Sequence, residues 1–165
     1  MVSKKQSSQK ITSLEPNSRE GFSLAEYPIF FIGQIQRKNF KNLSAALKPF
    51  GLIPLEWRTL AQLQEEDGLS VSELAEIVVS ERSALSRLMG SMEEKGLLKR
   101  LVSKKDQRET LVKLTKKGRQ VFEEILPIVR KQLAWTLEGL TEKQQRGLML
   151  LLGKLYENVN RSPFA

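Results

Sequence analysis

Residues 70–119 read SVSELAEIVVSERSALSRLMGSMEEKGLLKRLVSKKDQRETLVKLTKKGR, and this stretch decides the fold. Ser70-Val71-Ser72-Glu73 has the spacing of a capping box. The Ser70 hydroxyl can accept the Glu73 backbone N–H, and the Glu73 carboxylate can reach back to the Ser70 N–H. The box opens a short helix with Leu74, Ala75 and Val78, and a turn follows near Val79 and Ser80. A second helix is predicted over about Glu81 to Lys95. Its apolar residues Leu85, Leu88, Met89 and Met92 stand at i, i+3, i+4 and i+7. Gly96 supplies a left-handed stop. The period then changes. Leu97, Leu98, Leu101 and Val102 form one short apolar run and residues 110–115 another, around a polar tip at 103–109. That pattern reads as a β-hairpin.

Working outward, residues 1–23 are polar and read as a flexible tail. A helical pattern starts at about Leu24, with Pro28 in its first turn and Ile32, Ile35, Leu43 and Leu47 on one side. Pro49 and Gly51 stop it. Pro54 opens another helix carrying Leu55, Trp57, Leu60 and Leu63, which Gly68 ends. On the other flank Thr115 caps a long helix to about Leu137, with Phe122, Ile125 and Val129 on one side. Pro127 falls inside it and is expected to kink it. Thr141 and Gln144 form a second capping box. The last helix sets Leu148, Leu151, Leu152, Leu155 and Val159 on one stripe.

The 165 residues amount to about one domain. There is no Cys and no His. Disulfides, thiol nucleophiles and imidazole acid–base catalysis are therefore excluded, and a zinc site is disfavoured. No Gly-rich phosphate loop and no nucleophile elbow occurs, so the chain reads as no enzyme, with no metal and no cofactor. The longest apolar runs, residues 28–32 and 148–152, fall far short of the roughly 20 residues that span a bilayer. The start lacks the apolar stretch of a signal peptide, and a cytoplasmic location is expected.

The net charge of +8 is concentrated. Residues 80–119 hold twelve basic and five acidic side chains, net +7. A basic block can be a solvated face or a nucleic-acid footprint. Local structure favours the footprint, because two helices joined by a tight turn and followed by a basic hairpin make a winged helix-turn-helix. The second helix can enter the major groove. Opposite its apolar stripe it offers Arg82, Ser83, Ser86 and Arg87. The hairpin tip carries Lys104, Lys105, Asp106 and Arg108, and a thin cationic tip suits the negative potential of the minor groove. The fold class is thus mainly α with a small β-hairpin wing.

Residues from about Leu52 to Val121 resemble the MarR family of transcription regulators. Asp106-x-Arg108, Val112-x-Leu114-Thr115 and Gly118-Arg119 resemble its wing signature. Val71-Ser72-Glu73-Leu74-Ala75, Ser83-Ala84-Leu85-Ser86-Arg87-Leu88 and Met92-Glu93-x-Lys95-Gly96-Leu97 support the likeness, as do Trp57 and Arg58. Two departures stand out. Val79-Ser80 replaces the family's usual Gly-aliphatic turn, and Gly90-Ser91 replaces a charged pair.

The resemblance implies a homodimeric regulator, a repressor on a palindromic operator, with Arg108 in the minor groove and Asp106 orienting the wing. It divides the chain into a tail (1–23), a dimerisation helix (24–51), a winged helix-turn-helix domain (52–118) and C-terminal dimerisation helices (119–165). It also implies a small organic effector, aromatic or phenolic, bound between the dimer helices and the winged domain. Phe30, Phe31, Gln34, Trp57 and Arg58 are the candidates, an aromatic wall with one cation. The same aromatic residues can equally be ordinary core. Without Cys, thiol oxidation cannot be the trigger, which leaves a non-covalent organic ligand or no ligand. The competing class is a winged helix that binds protein, which would need apolar residues on the exposed side of residues 81–94.

Overall fold

A computed structural model describes residues 24, 27–78, 82–103, 107 and 109–162. The chain divides into two compact units, Met1–Arg58 and Thr59–Ala165. The expected tail at 1–23 and the turn at Val79 and Ser80 lie outside the described residues.

The first unit is built on helix α1, Pro28–Leu47. The helix starts four residues later than the apolar pattern suggested. Proline disfavours helical backbone in the residue before it, and Tyr27 is accordingly extended (φ −85°, ψ 110°). At the first helical position the missing proline N–H has no partner to lose. Leu43 and Leu47 are buried, whereas Ile29, Phe31, Ile35 and Phe40 are exposed. A 3-10 turn, Lys48–Phe50, and Gly51 at φ 64° end the helix. Helix α2, Pro54–Glu65, then opens with Glu56 Oε2 accepting the Ile53 N–H at 3.0 Å. The unit boundary falls within α2. The helix stops at Glu65, before Gly68, which instead supplies a positive φ of 89° in the following turn.

In the second unit the order is β1 (Leu69–Ser70), α3 (Val71–Ile77), α4 (Arg82–Glu94), β2 (Leu98–Val102), β3 (Thr110–Leu114), α5 (Lys116–Thr136) and α6 (Glu142–Asn160). The hairpin pairs in the register Leu98↔Leu114 to Val102↔Thr110. β1 adds a third antiparallel strand, Leu69↔Val112 and Ser70↔Leu111, giving the order β1-β3-β2. This strand is not visible in the sequence, because two residues are too few to show a period. Leu60, Leu63, Leu74, Leu85, Met89, Met92, Leu98, Val112 and Ile125 are fully buried. Each such side chain contributes about 1.5–3 kcal/mol relative to exposure.

Both capping boxes form. Ser70 Oγ accepts the Glu73 N–H at 3.2 Å and Glu73 Oε2 accepts the Ser70 N–H at 2.8 Å. Thr141 and Gln144 repeat the arrangement at α6. Thr115 caps α5, its Oγ1 accepting the Gly118 N–H at 3.0 Å. α5 continues through Pro127. α6 buries none of its residues. Among the described residues no helix is long and apolar enough to cross a membrane.

Candidate nucleic-acid interface

The second unit presents two successive helices, α3 and α4, followed by the β2–β3 hairpin. The α3 capping box fixes the start of the first helix. It also holds the Glu73 carboxyl below its ordinary pKa, through the Ser70 backbone N–H first and the Ser70 hydroxyl second. α4 turns Leu85, Met89 and Met92 into the core and leaves Leu88 half-buried. Ser83, Ser86 and Arg87 are exposed. A small-residue surface with one guanidinium therefore faces solvent, and small residues allow a helix to approach a groove closely. Among the described residues Arg87 takes part in no ion pair. Arg82 begins α4, but its side chain is not among those described.

The paired strands are closed at the tip end by Ser103, which is buried and donates its N–H to the Glu109 carbonyl at 2.9 Å, one step beyond Val102↔Thr110. The tip residues Lys104, Lys105, Asp106 and Arg108 lie outside the described residues.

Part of the basic block has internal partners that composition cannot show. Arg100 of β2 reaches back to Glu93 of α4. Its Nη2 lies 2.7 Å from Glu93 Oε2, its Nε donates to the same oxygen at 2.9 Å, and its backbone N–H donates to Oε1 at 3.2 Å. These bonds, side chain first and backbone second, keep the Glu93 carboxyl below its ordinary pKa. The same carboxylate occupies a backbone donor of strand β2, which blunts it as a template for a foreign strand. Lys117 Nζ donates to the Lys95 carbonyl at the end of α4, 2.7 Å away. Arg119 pairs with Asp67 at 2.8 Å. Sequence reasoning assigned no role to Arg100, Asp67 or Glu93. The only hint was a carboxylate and a guanidinium flanking the Gly96 turn, seven residues apart.

The residues suggested for an effector are only partly brought together. Phe30 and Gln34 line an open hollow of about 350 Å³ on α1, with Gly33 and Arg37. Arg37 Nη2 donates to Gln34 Oε1 at 2.7 Å, so the cation in that hollow is Arg37. Phe31, Trp57 and Arg58 do not line it. Phe31 and Arg58 are exposed, and Trp57 is buried. Among the described residues no cluster of acidic side chains could hold a metal ion.

A MarR family model matches residues 50–109. The HTH-type transcriptional repressor IacR of Pseudomonas putida is 28% identical over 145 residues, which cover 88% of this chain and 86% of the relative. The crystal structure of a MarR-family transcriptional regulator from Silicibacter pomeroyi is 30% identical, with a TM-score of 0.75 over 83% of this chain and 92% of that one. A mutant MarR from E. coli, crystallised with operator DNA, shares the fold at 24% identity. Its TM-score is 0.72 over 80% of this chain and 96% of that one.

Proposed function

The chain belongs to the MarR family and is a DNA-binding transcriptional regulator rather than an enzyme, and from that premise we propose that it is a homodimeric repressor of a palindromic operator. In this reading α4 enters the major groove with Arg82, Ser83, Ser86 and Arg87. The wing carries Lys104, Lys105 and Arg108 to the minor groove, with Asp106 orienting it.

The observation that carries the dimer is α6. Met149, Leu150, Leu151, Tyr156 and Val159 are each at least 60% exposed, and Leu148 and Leu155 are also uncovered. One chain leaves this apolar surface in water, and a second copy would cover it. Helix α1 leaves a second exposed apolar set, Ile29, Phe31, Ile35 and Phe40.

The DNA reading is supported by the exposed Ser83, Ser86 and Arg87, which replace the apolar residues a protein-binding winged helix would need there. The relative from Pseudomonas putida is a repressor, and the E. coli neighbour was crystallised on operator DNA, which agrees with this reading.

Release by a small aromatic or phenolic ligand is the remaining part of the proposal. The Phe30, Gln34 and Arg37 hollow offers an aromatic wall, an amide and a cation suited to an aromatic carboxylate. The experiment is selection of bound DNA from a genomic pool, followed by titration of the selected complex with aromatic acids and phenols. A single enriched inverted repeat is expected. Binding with no sequence preference at moderate salt would refute the repressor reading. DNA release by none of the acids or phenols would refute the effector alone.

A further inference from the structure

One carboxylate and the arginine paired with it join three elements at the base of α5. β1 ends its pairing at Leu69, opposite Val112. Beyond it, the Gly68 N–H bonds to the Val112 carbonyl at 3.0 Å, and Asp67 Oδ1 accepts the Leu114 N–H at 3.0 Å. The Asp67 side chain thus takes the place of the strand's next residue. Its other oxygen, Oδ2, accepts from Arg119 Nη2 at 2.8 Å, and Arg119 Nη1 donates to Gln64 Oε1 at 3.2 Å. Gln64 lies in the last turn of α2, Leu114 ends β3 and Arg119 is in the first turns of α5.

A separate set of bonds fixes the same helix at its other side. Thr115 Oγ1 donates to the Gly96 carbonyl at 2.7 Å, and the Thr115 N–H donates to the Leu97 carbonyl at 3.1 Å. A Cβ on Gly118 would collide with that Leu97 carbonyl. Thr115 and Gly118 thus hold the start of α5 against the Gly96–Leu97 turn, and the Asp67–Arg119 pair holds it to the edge of β3.

We propose that the Asp67–Arg119 pair is a positioning clamp that sets the angle at which α5 leaves the winged unit, and with it the distance between the two recognition helices of the dimer. The proposal rests on the homodimer reading. α5 is 21 residues long, about 31 Å at 1.5 Å per residue, so a tilt of about 5° at its base moves its far end by about 3 Å. That is about the rise of one base pair, and half-sites are read at a defined separation. The side chains of Arg119 and Asp67 keep 43% and 29% of their exposure. Such a pair adds little to stability. Its three directional bonds hold geometry instead.

The test uses the full chain and the variants Arg119→Ala, Asp67→Asn and Arg119→Lys. Affinity is measured for a single half-site duplex and for full sites whose spacer is lengthened or shortened by one base pair. For Arg119→Ala and Asp67→Asn, half-site affinity should stay within about twofold while full-site affinity falls about tenfold. Their discrimination among spacers should also flatten. Arg119→Lys keeps the ion pair and should keep most of the spacer preference. Equal losses on half and full sites, or an unchanged spacer preference, would overturn the clamp. Sedimentation of the unaltered chain as a monomer on and off DNA would overturn the dimer reading itself, and that measurement is separate from the others.

Discussion

Gly118, in the first turn of α5, lies against the carbonyl oxygen of Leu97 so closely that no side chain fits between them. Its φ is not positive, so the requirement is space and not backbone conformation. The Leu97 carbonyl already accepts the Thr115 N–H, so it is backbone held by backbone and cannot move aside cheaply. Gly118→Ala is therefore expected to destabilise the chain by about 1–3 kcal/mol, the usual range for overpacking. Urea denaturation checks it, and an unchanged midpoint would show that α5 is free to shift.

Gly90 is the opposite case. It sits inside α4, and a Cβ there would meet nothing within 4 Å. Gly90→Ala should stabilise by about 0.5–1 kcal/mol, since the helix interior favours Ala over Gly by that amount. The same denaturation series reads it, and a lower midpoint would count against an open site at this position.

Arg87→Ala should weaken binding to the selected operator by about 1–3 kcal/mol while changing stability by less than about 0.5 kcal/mol, because the side chain is exposed and without an ion pair among the described residues. Arg108→Ala should weaken binding by a similar amount. Fluorescence anisotropy at several salt concentrations measures both. Affinity of the unaltered chain should fall steeply with salt. Loss of folding in Arg87→Ala, with no separate loss of binding, would contradict the assignment.

Acid should loosen the DNA-binding unit through two identified carboxylates. Glu73 and Glu93 have folded pKa values below their unfolded ones. The folded state therefore binds fewer protons, and the stability these groups supply is fully present above the unfolded carboxylate range near 4.5. It is lost as pH falls through the lowered folded values. Melting temperature should drop below about pH 4.5, and Glu73→Gln and Glu93→Gln should each make the drop shallower. A pH profile identical in both variants would remove these two groups as its source.

Leu151→Asp, on the exposed face of α6, should convert a dimer into a monomer without unfolding the winged unit, since Leu151 is 60% exposed in the single chain. Sedimentation velocity with circular dichroism decides it. A variant that stays dimeric at micromolar concentration would place the interface elsewhere.

The local chemistry of the fold was legible. The Ser70–Glu73 and Thr141–Gln144 boxes, the Leu85, Met89 and Met92 stripe and the Gly96 stop all follow from spacings of three or four residues, and all are present. The hairpin was legible from the change of period. The start of α1 was misjudged, because Leu24 extends the apolar pattern but Pro28 forces the residue before it out of helical backbone. Of the residues suggested for an effector, Phe30 and Gln34 share a hollow, but its cation is Arg37, one helical turn from Gln34.

What the sequence determined by itself is therefore carried by short-range spacing: the two capping boxes, the apolar stripe of α4, the Gly96 stop, the hairpin, and the concentration of positive charge in residues 80–119. Tertiary structure decided which of those charges keep a free hand. Arg100 is taken by Glu93 across the Gly96 turn, and Arg119 by Asp67, 52 residues away. It also decided that Leu69 and Ser70 form a strand, because β3 lies beside them to pair with. The physical reason is common to all three. Capping and amphipathic patterns are properties of one element, whereas an ion pair or a two-residue strand exists only once folding has brought its distant partner within hydrogen-bonding reach.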